Sequence, residues 1–174
     1  MRPILSSIEV EWRRYKALAE GALRQVRDEE LAKCASGDNS IEVIARHISG
    51  NLKSRFTDFL TSDGEKPWRD RDTEFEPRGR ITREQLMEDW NAAWATMFGA
   101  IEPLTDQDLS RTVVIRGQEF FVYEALHRLV AHTSYHVGQI VFIAKSFRGS
   151  EWKSLSIPLG MSAEYNRNPT HERP

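Results

Sequence analysis

The stretch "HTSYHVGQI", residues 132 to 140, carries His132 and His136 four positions apart inside an otherwise apolar run. On a helix that spacing separates two side chains by about 40° around the axis and one turn along it, so both imidazoles face the same way and can reach one ion together. Such a pair has two explanations. It holds part of a metal site, or it is two histidines at the edge of a core that hydrogen-bond to backbone or water. A third donor from another helix discriminates, because a divalent ion in a catalytic site usually has three protein ligands and an open position.

His47 is the candidate third donor. In "IEVIARHISGNLKSRFTDFL" it flanks Ile44 on the edge of the apolar stripe and precedes Asn51 by one turn. His127 lies roughly 140° and 180° around the helix from His132 and His136, which places it on the surface or against the tail. His171 stands near the chain end. Gln139 falls near the face of His136, and Asn51 near that of His47; each amide can hydrogen-bond a bound water or substrate, or orient a ligand from behind, or simply pack. No histidine is paired with a serine or cysteine at a nucleophile spacing, and neither a phosphate-cradling Gly-rich loop nor an HExxH is present. A bound metal is the only chemical engine that the sequence suggests. Cys34, in "LAKCASGDNS", has no histidine nearby; it reads as incidental at a fraying helix end, a reactive thiol being the alternative.

Four helices must position these groups. Apolar residues recur at helical spacing from Ile4 to Leu31, which predicts helix one. Asn39 or Ser40 caps helix two, whose stripe of Ile41, Ile44, Ile48, Leu52, Phe56 and Phe59 runs to about Leu60. Residues 61–80 break the pattern with two Gly, two Pro and eleven charged residues, Trp68 and Phe75 being the large apolar anchors. This is a long ordered loop or crossover, functional or merely solvated. Thr82 and Gln85 have capping-box spacing ahead of helix three, which carries Leu86, Trp90, Ala93, Trp94, Met97 and Ile101 as core before Pro103. A β-prone stretch spans Thr112 to Ile115, ended by Gly117, and helix four runs from about Glu119 to Phe147. The apolar stripe of that helix centres on Leu126, Leu129, Thr133, Ile140 and Ala144, so His132 and His136 lie on its flank beside Gln139 and Ile143, at a helix seam. The pattern predicts an all-α bundle in residues 1–150 and an irregular segment, 151–174, packed on it with a mobile end.

The 174 residues suit one domain. Twenty-four Lys and Arg against 26 Asp and Glu leave a formal net charge of −2, which argues against a nucleic-acid or membrane-surface partner. No signal-peptide h-region or membrane-length apolar run is visible, so a soluble cytoplasmic protein is expected. The single cysteine agrees with a reducing compartment.

Two segments, "ARHISGNLKSRFTDFLTSDGEKPWRDRDTEF" and "YEALHRLVAHTSYHVGQI", together resemble the DinB/YfiT-like superfamily, and more narrowly a bacterial subgroup of it whose role is uncharacterised. The resemblance implies an up-down-down-up four-helix bundle with a long crossover between helices two and three. It also implies a divalent metal, often nickel or zinc, on three histidines that fall on His47, His132 and His136. Related proteins include thiol S-transferases that use bacillithiol, mycothiol or glutathione, and many are dimers, so a homodimer and a low-molecular-weight thiol are expected. The charged insert "DGEKPWRDRDTEFE" belongs to the subgroup and does not map onto those transferases. Three neutral imidazoles leave an ion its full charge, which lowers the pKa of a bound water or thiol. The expected function is therefore a metal-dependent S-transferase or hydrolase whose metal-bound thiolate or hydroxide attacks a small electrophile, with Arg69, Arg71 and Asp72 at the entrance if the loop folds back. The alternative is a non-catalytic metal-binding or stress-related module whose loop binds a partner protein.

Overall fold

Pro3 opens the first helix, α1 (Pro3–Leu23), at a position where a fixed φ and a missing N–H cost nothing. The structure, a computed structural model, describes residues 1–34, 39–76 and 81–170. In it the Asp106 carboxylate accepts from the free N–H groups of Ile4 and Leu5 at 3.0 Å each, capping α1 from a distant loop.

The single helix expected from Ile4 to Leu31 is corrected: α1 ends at Leu23 and the chain resumes as α2 (Asp28–Leu31). Tertiary bonds override propensity here. Arg83 donates to the carbonyls of Leu23 and Val26 at 2.7 Å each, and Glu30 accepts from the extended Arg27 N–H at 2.8 Å. Of the two predicted caps for the next helix, Ser40 serves, its Oγ accepting from Val43 N at 3.2 Å. That helix, α3 (Ile41–Phe56), stops four residues short of Leu60, because Thr57 turns extended and Asp58 adopts φ 50°.

The following segment forms turns and a 3₁₀ turn at Asp72–Phe75 that lies on α3. Phe75 is half-buried as an anchor should be, but Trp68 is 57% exposed and lies outside the hydrophobic core. Helix α4 (Arg83–Ile101) begins with the predicted capping box, Gln85 N to Thr82 Oγ1 at 3.2 Å and Thr82 N to Gln85 Oε1 at 3.1 Å.

The β-prone stretch is strand β1 (Thr112–Ile115), and it has a partner that the sequence reading assigned to helix four: β2 (Gln118–Phe121). The two pair antiparallel, Thr112 opposite Phe121 and Ile115 opposite Gln118. Arg116 and Gly117 connect them with φ of 56° and 71°, the left-handed pair of a two-residue hairpin turn. Helix α5 (Val122–Arg148) therefore starts three residues later than Glu119 and ends at Gly149, φ 52°. Beyond it lie a short 3₁₀ turn and one short helix, α6 (Ser162–Tyr165). Trp152 and Leu155 pack on the core, and Gln25 bonds both the N–H and the carbonyl of Lys153, at 2.8 and 3.0 Å. His171 lies outside the described residues.

The long helices pack α1 on α5 and α3 on both α4 and α5. Trp12, Phe56, Trp90 and Trp94 are buried at the centre, Trp12 edge-on to Phe56 at 5.5 Å. Each such side chain contributes roughly 1.5–3 kcal/mol by leaving water. The consequence for function is positional. The α3–α5 seam, where His47 and the HxxxH pair sit, is braced from behind by this core. No helix among the described residues is long and apolar enough to cross a membrane.

Candidate metal centre

His47 on α3 and His132 and His136 on α5 come together at that seam. One ring nitrogen from each lies within 4.8 Å of the others, and among the described residues no carboxylate or thiol joins the cluster. His47 is buried; His132 and His136 are half-buried. The Nε2 atoms of His47 and His132 are 3.2 Å apart. Two nitrogens bound at 2.0–2.1 Å to one tetrahedral ion would stand about 3.3 Å apart, so the observed gap is that of two ligands sharing an ion.

The far side of each ring decides which nitrogen offers its lone pair. His47 Nδ1 meets Glu74 Oε2 at 2.7 Å, and a carboxylate only accepts, so Nδ1 carries the proton and Nε2 is left to the cluster. His136 Nδ1 likewise faces Gln139 Oε1 at 2.7 Å, the Gln139 amide nitrogen being 3.4 Å from the Tyr135 hydroxyl. Two of the three imidazoles are thus held in the tautomer that a metal requires, by partners on their outer edges. Without an ion, the 3.2 Å contact is satisfied by His132 Nε2–H donating to His47 Nε2.

The surroundings disfavour the charged form of His132 and His136. Burial first, then the charges of His136, His47, Arg69 and Arg55, push His132 down to about 3. Burial also lowers His136, with His47 and Arg71 adding to it against the hydrogen bond of Gln139. Burial works to raise the Glu74 carboxyl, but hydrogen bonds from His47 and Arg69 and their charges hold it below the usual carboxylate range. At neutral pH His132 and His136 are therefore uncharged, and the cluster is backed by one buried anion, Glu74.

Of the other residues singled out from the sequence, Gln139 reaches the site as an orienter of His136 and not as a free amide in the pocket. Asn51 is buried, its Oδ1 lacks a hydrogen-bond partner, and no hydrogen bond ties it to the three histidines. His127 is exposed, edge-on to Tyr123 at 6.4 Å. Cys34 is free and exposed. The charged loop does fold back. Arg71 lies over the Phe75 ring at 4.9 Å, and that ring is 4.9 Å from His47, while the Asp72 carboxylate points to solvent. A groove of about 380 Å³ shares Gln139 as a wall with the site and is otherwise bounded mainly by Ile44, Tyr135, Phe142 and Ile143.

Glu74 was not singled out from the sequence, where it is one of eleven charges in a patternless segment. The available signal was Gly50, a helix-interior glycine that costs about 1 kcal/mol relative to alanine and so asks for a packing reason. A Cβ built there would overlap Oε1 of Glu74 and lie 2.9 Å from its Cδ.

One family model, described as "Protein of unknown function (DUF1572)", matches residues 1–161. No curated protein and no solved structure matches the chain.

Proposed function

We propose that this chain, which belongs to the DUF1572 family, binds one divalent metal ion through Nε2 of His47, His132 and His136. The observation that carries the reading is the joint geometry. Three imidazoles from two helices converge, two with their Nδ1 protons committed to acceptors behind them, with His47 and His132 Nε2 at ligand spacing. An all-imidazole site suits zinc, nickel, copper or iron over hard oxygen-seeking ions, and the family resemblance favours nickel or zinc among them. The chain is read as a DinB-like protein with an up-down-down-up bundle in residues 1–150 and a C-terminal segment laid on it. The pairing of α1 with α5 and of α3 with α4 supports that topology.

We further infer a catalytic use, as a transferase of a small thiol or a hydrolase. A divalent ion held by His47, His132 and His136 would supply Lewis acidity, lowering the pKa of a water or thiol toward neutral pH. The protein's part is to keep His132 and His136 uncharged, to hold His136 through Gln139, and to offer the groove beside Gln139 to the apolar part of a small electrophile. The test is elemental analysis of untagged protein, comparing wild type with a His47→Ala, His132→Ala double variant. About one metal per chain, absent from the variant, is expected. No metal in the wild type after incubation with nickel and zinc would end the reading.

A further inference from the structure

The charged segment after α3 enters the reading above only through the Glu74 carboxylate, and it is tied down on both sides of that residue. At its start the Asp63 carboxylate accepts from the N–H groups of Arg116 and Gly117 at 2.8 and 2.7 Å, and Gly64 N donates to Val114 O at 2.8 Å, so it is stapled to the β1–β2 hairpin. At its end Arg46 holds the main-chain carbonyls of Glu74 and Glu76, the latter at 2.7 Å. Between these anchors Glu74 turns inward. Its Oε1 accepts from Arg69 Nε at 2.7 Å, and its Oε2 accepts from an Arg69 terminal nitrogen at 2.9 Å and from His47 Nδ1 at 2.7 Å. The other terminal nitrogen of Arg69 donates to the buried Ser54 Oγ at 3.0 Å.

We propose that Glu74 is a positioning residue for the metal centre, fixing His47 as its Nδ1–H tautomer, and that Gly50 is a glycine so that this carboxylate can lie against α3. The geometry leaves little else for Glu74 to do. A buried carboxylate satisfied by Arg69 alone would need neither the short bond to a ring nitrogen nor a missing Cβ one turn along the same helix. His47 and Gly50 are three residues apart, on one face of α3, and Glu74 covers both. Arg69 fixes the carboxylate plane with two parallel hydrogen bonds, so the acceptor for His47 is oriented before any ion arrives. The segment is therefore a strap whose inward carboxylate sets which nitrogen of His47 faces the cluster. This rests on the metal reading for its purpose but not for its geometry, which is a property of the metal-free protein.

The test uses full-length wild type, Glu74→Ala and Gly50→Ala. The His47 tautomer is read by long-range ¹H–¹⁵N correlation in chelator-treated protein, and zinc affinity by competition with a chromophoric chelator. Gly50→Ala keeps Glu74, Arg69 and His47, and alanine favours the helix, so it displaces the carboxylate without removing any group. Wild type is expected to show His47 protonated on Nδ1. Both variants should show a mixed or Nε2–H tautomer and roughly 10- to 100-fold weaker zinc binding, with the cooperative unfolding transition retained. A wild-type His47 protonated on Nε2 would overturn the proposal, as would two folded variants with the wild-type tautomer and affinity. If Glu74→Ala does not fold, the wild-type tautomer and Gly50→Ala still decide. If wild type binds no zinc, the function above fails, while the tautomer measurement still decides the role of Glu74.

Discussion

Acid should destabilise the metal-free protein through His132, by an amount that the structure bounds. An imidazole in the unfolded chain takes its proton near 6.5, whereas the folded ring, buried beside two other imidazoles and within the field of Arg69 and Arg55, does so at about 3. The folded value is the depressed one. Between the two values the unfolded state holds the extra proton, so stability falls as pH falls through this window, and the loss is complete below about pH 3. A pH of 5.0 lies about 1.5 units inside the window, and at about 1.4 kcal/mol per unit the ceiling is about 2 kcal/mol. The ring is only half-buried and solvent screens part of the effect, so about 1–2 kcal/mol is expected between pH 7.5 and 5.0. His136, also lowered, adds in the same direction. The assay is urea unfolding in the presence of chelator at pH 7.5, 6.5, 5.5 and 5.0 for wild type and His132→Gln. Glutamine cannot titrate, and all other groups are common to the two proteins. Wild type should lose about 1–2 kcal/mol more than the variant over that range. Parallel pH profiles would show that His132 does not titrate differently in the folded and unfolded chains.

Two further outcomes follow from single bonds. Gln139→Ala removes the acceptor 2.7 Å from His136 Nδ1 and should weaken zinc or nickel binding roughly tenfold in a competition titration, without moving the unfolding midpoint at neutral pH in chelator. Arg83→Ala leaves the carbonyls of Leu23 and Val26 and the Asp28 carboxylate without their shared donor, and should cost about 1–3 kcal/mol in urea unfolding while leaving metal stoichiometry unchanged.

The parts of the molecule that could be read from the sequence are those governed by helical period. His132, His136 and His47 were placed on seam faces by spacing alone, and the structure brings their nitrogens within 4.8 Å. The capping box at Thr82 was equally local and equally legible. What escaped was set by distant partners. Arg24 to Arg27 have ordinary helix propensity, and the break there comes from Arg83, sixty positions on from Leu23. The turn before β2 uses Arg116 where a hairpin signal would have been Asn or Asp, and its geometry is held by Asp63 from another segment. Glu74 sits 27 residues from His47 in a stretch without periodicity, so no spacing argument could pair them. Trp68 is large and apolar and so reads as an anchor of that stretch; charged and backbone bonds through Arg46, Arg69 and Asp63 hold it instead, and Trp68 is left 57% exposed outside the core.

Whether His47, His132 and His136 hold a metal together is read most plainly by X-ray absorption at the metal edge of the nickel- or zinc-loaded protein at neutral pH. Three imidazole nitrogens at 2.0–2.1 Å are expected, with multiple scattering from the rings and at least one further light oxygen or nitrogen scatterer at the open position. A bound metal with fewer than three imidazoles, or one closed by carboxylate or thiolate ligands, would contradict the three-histidine site.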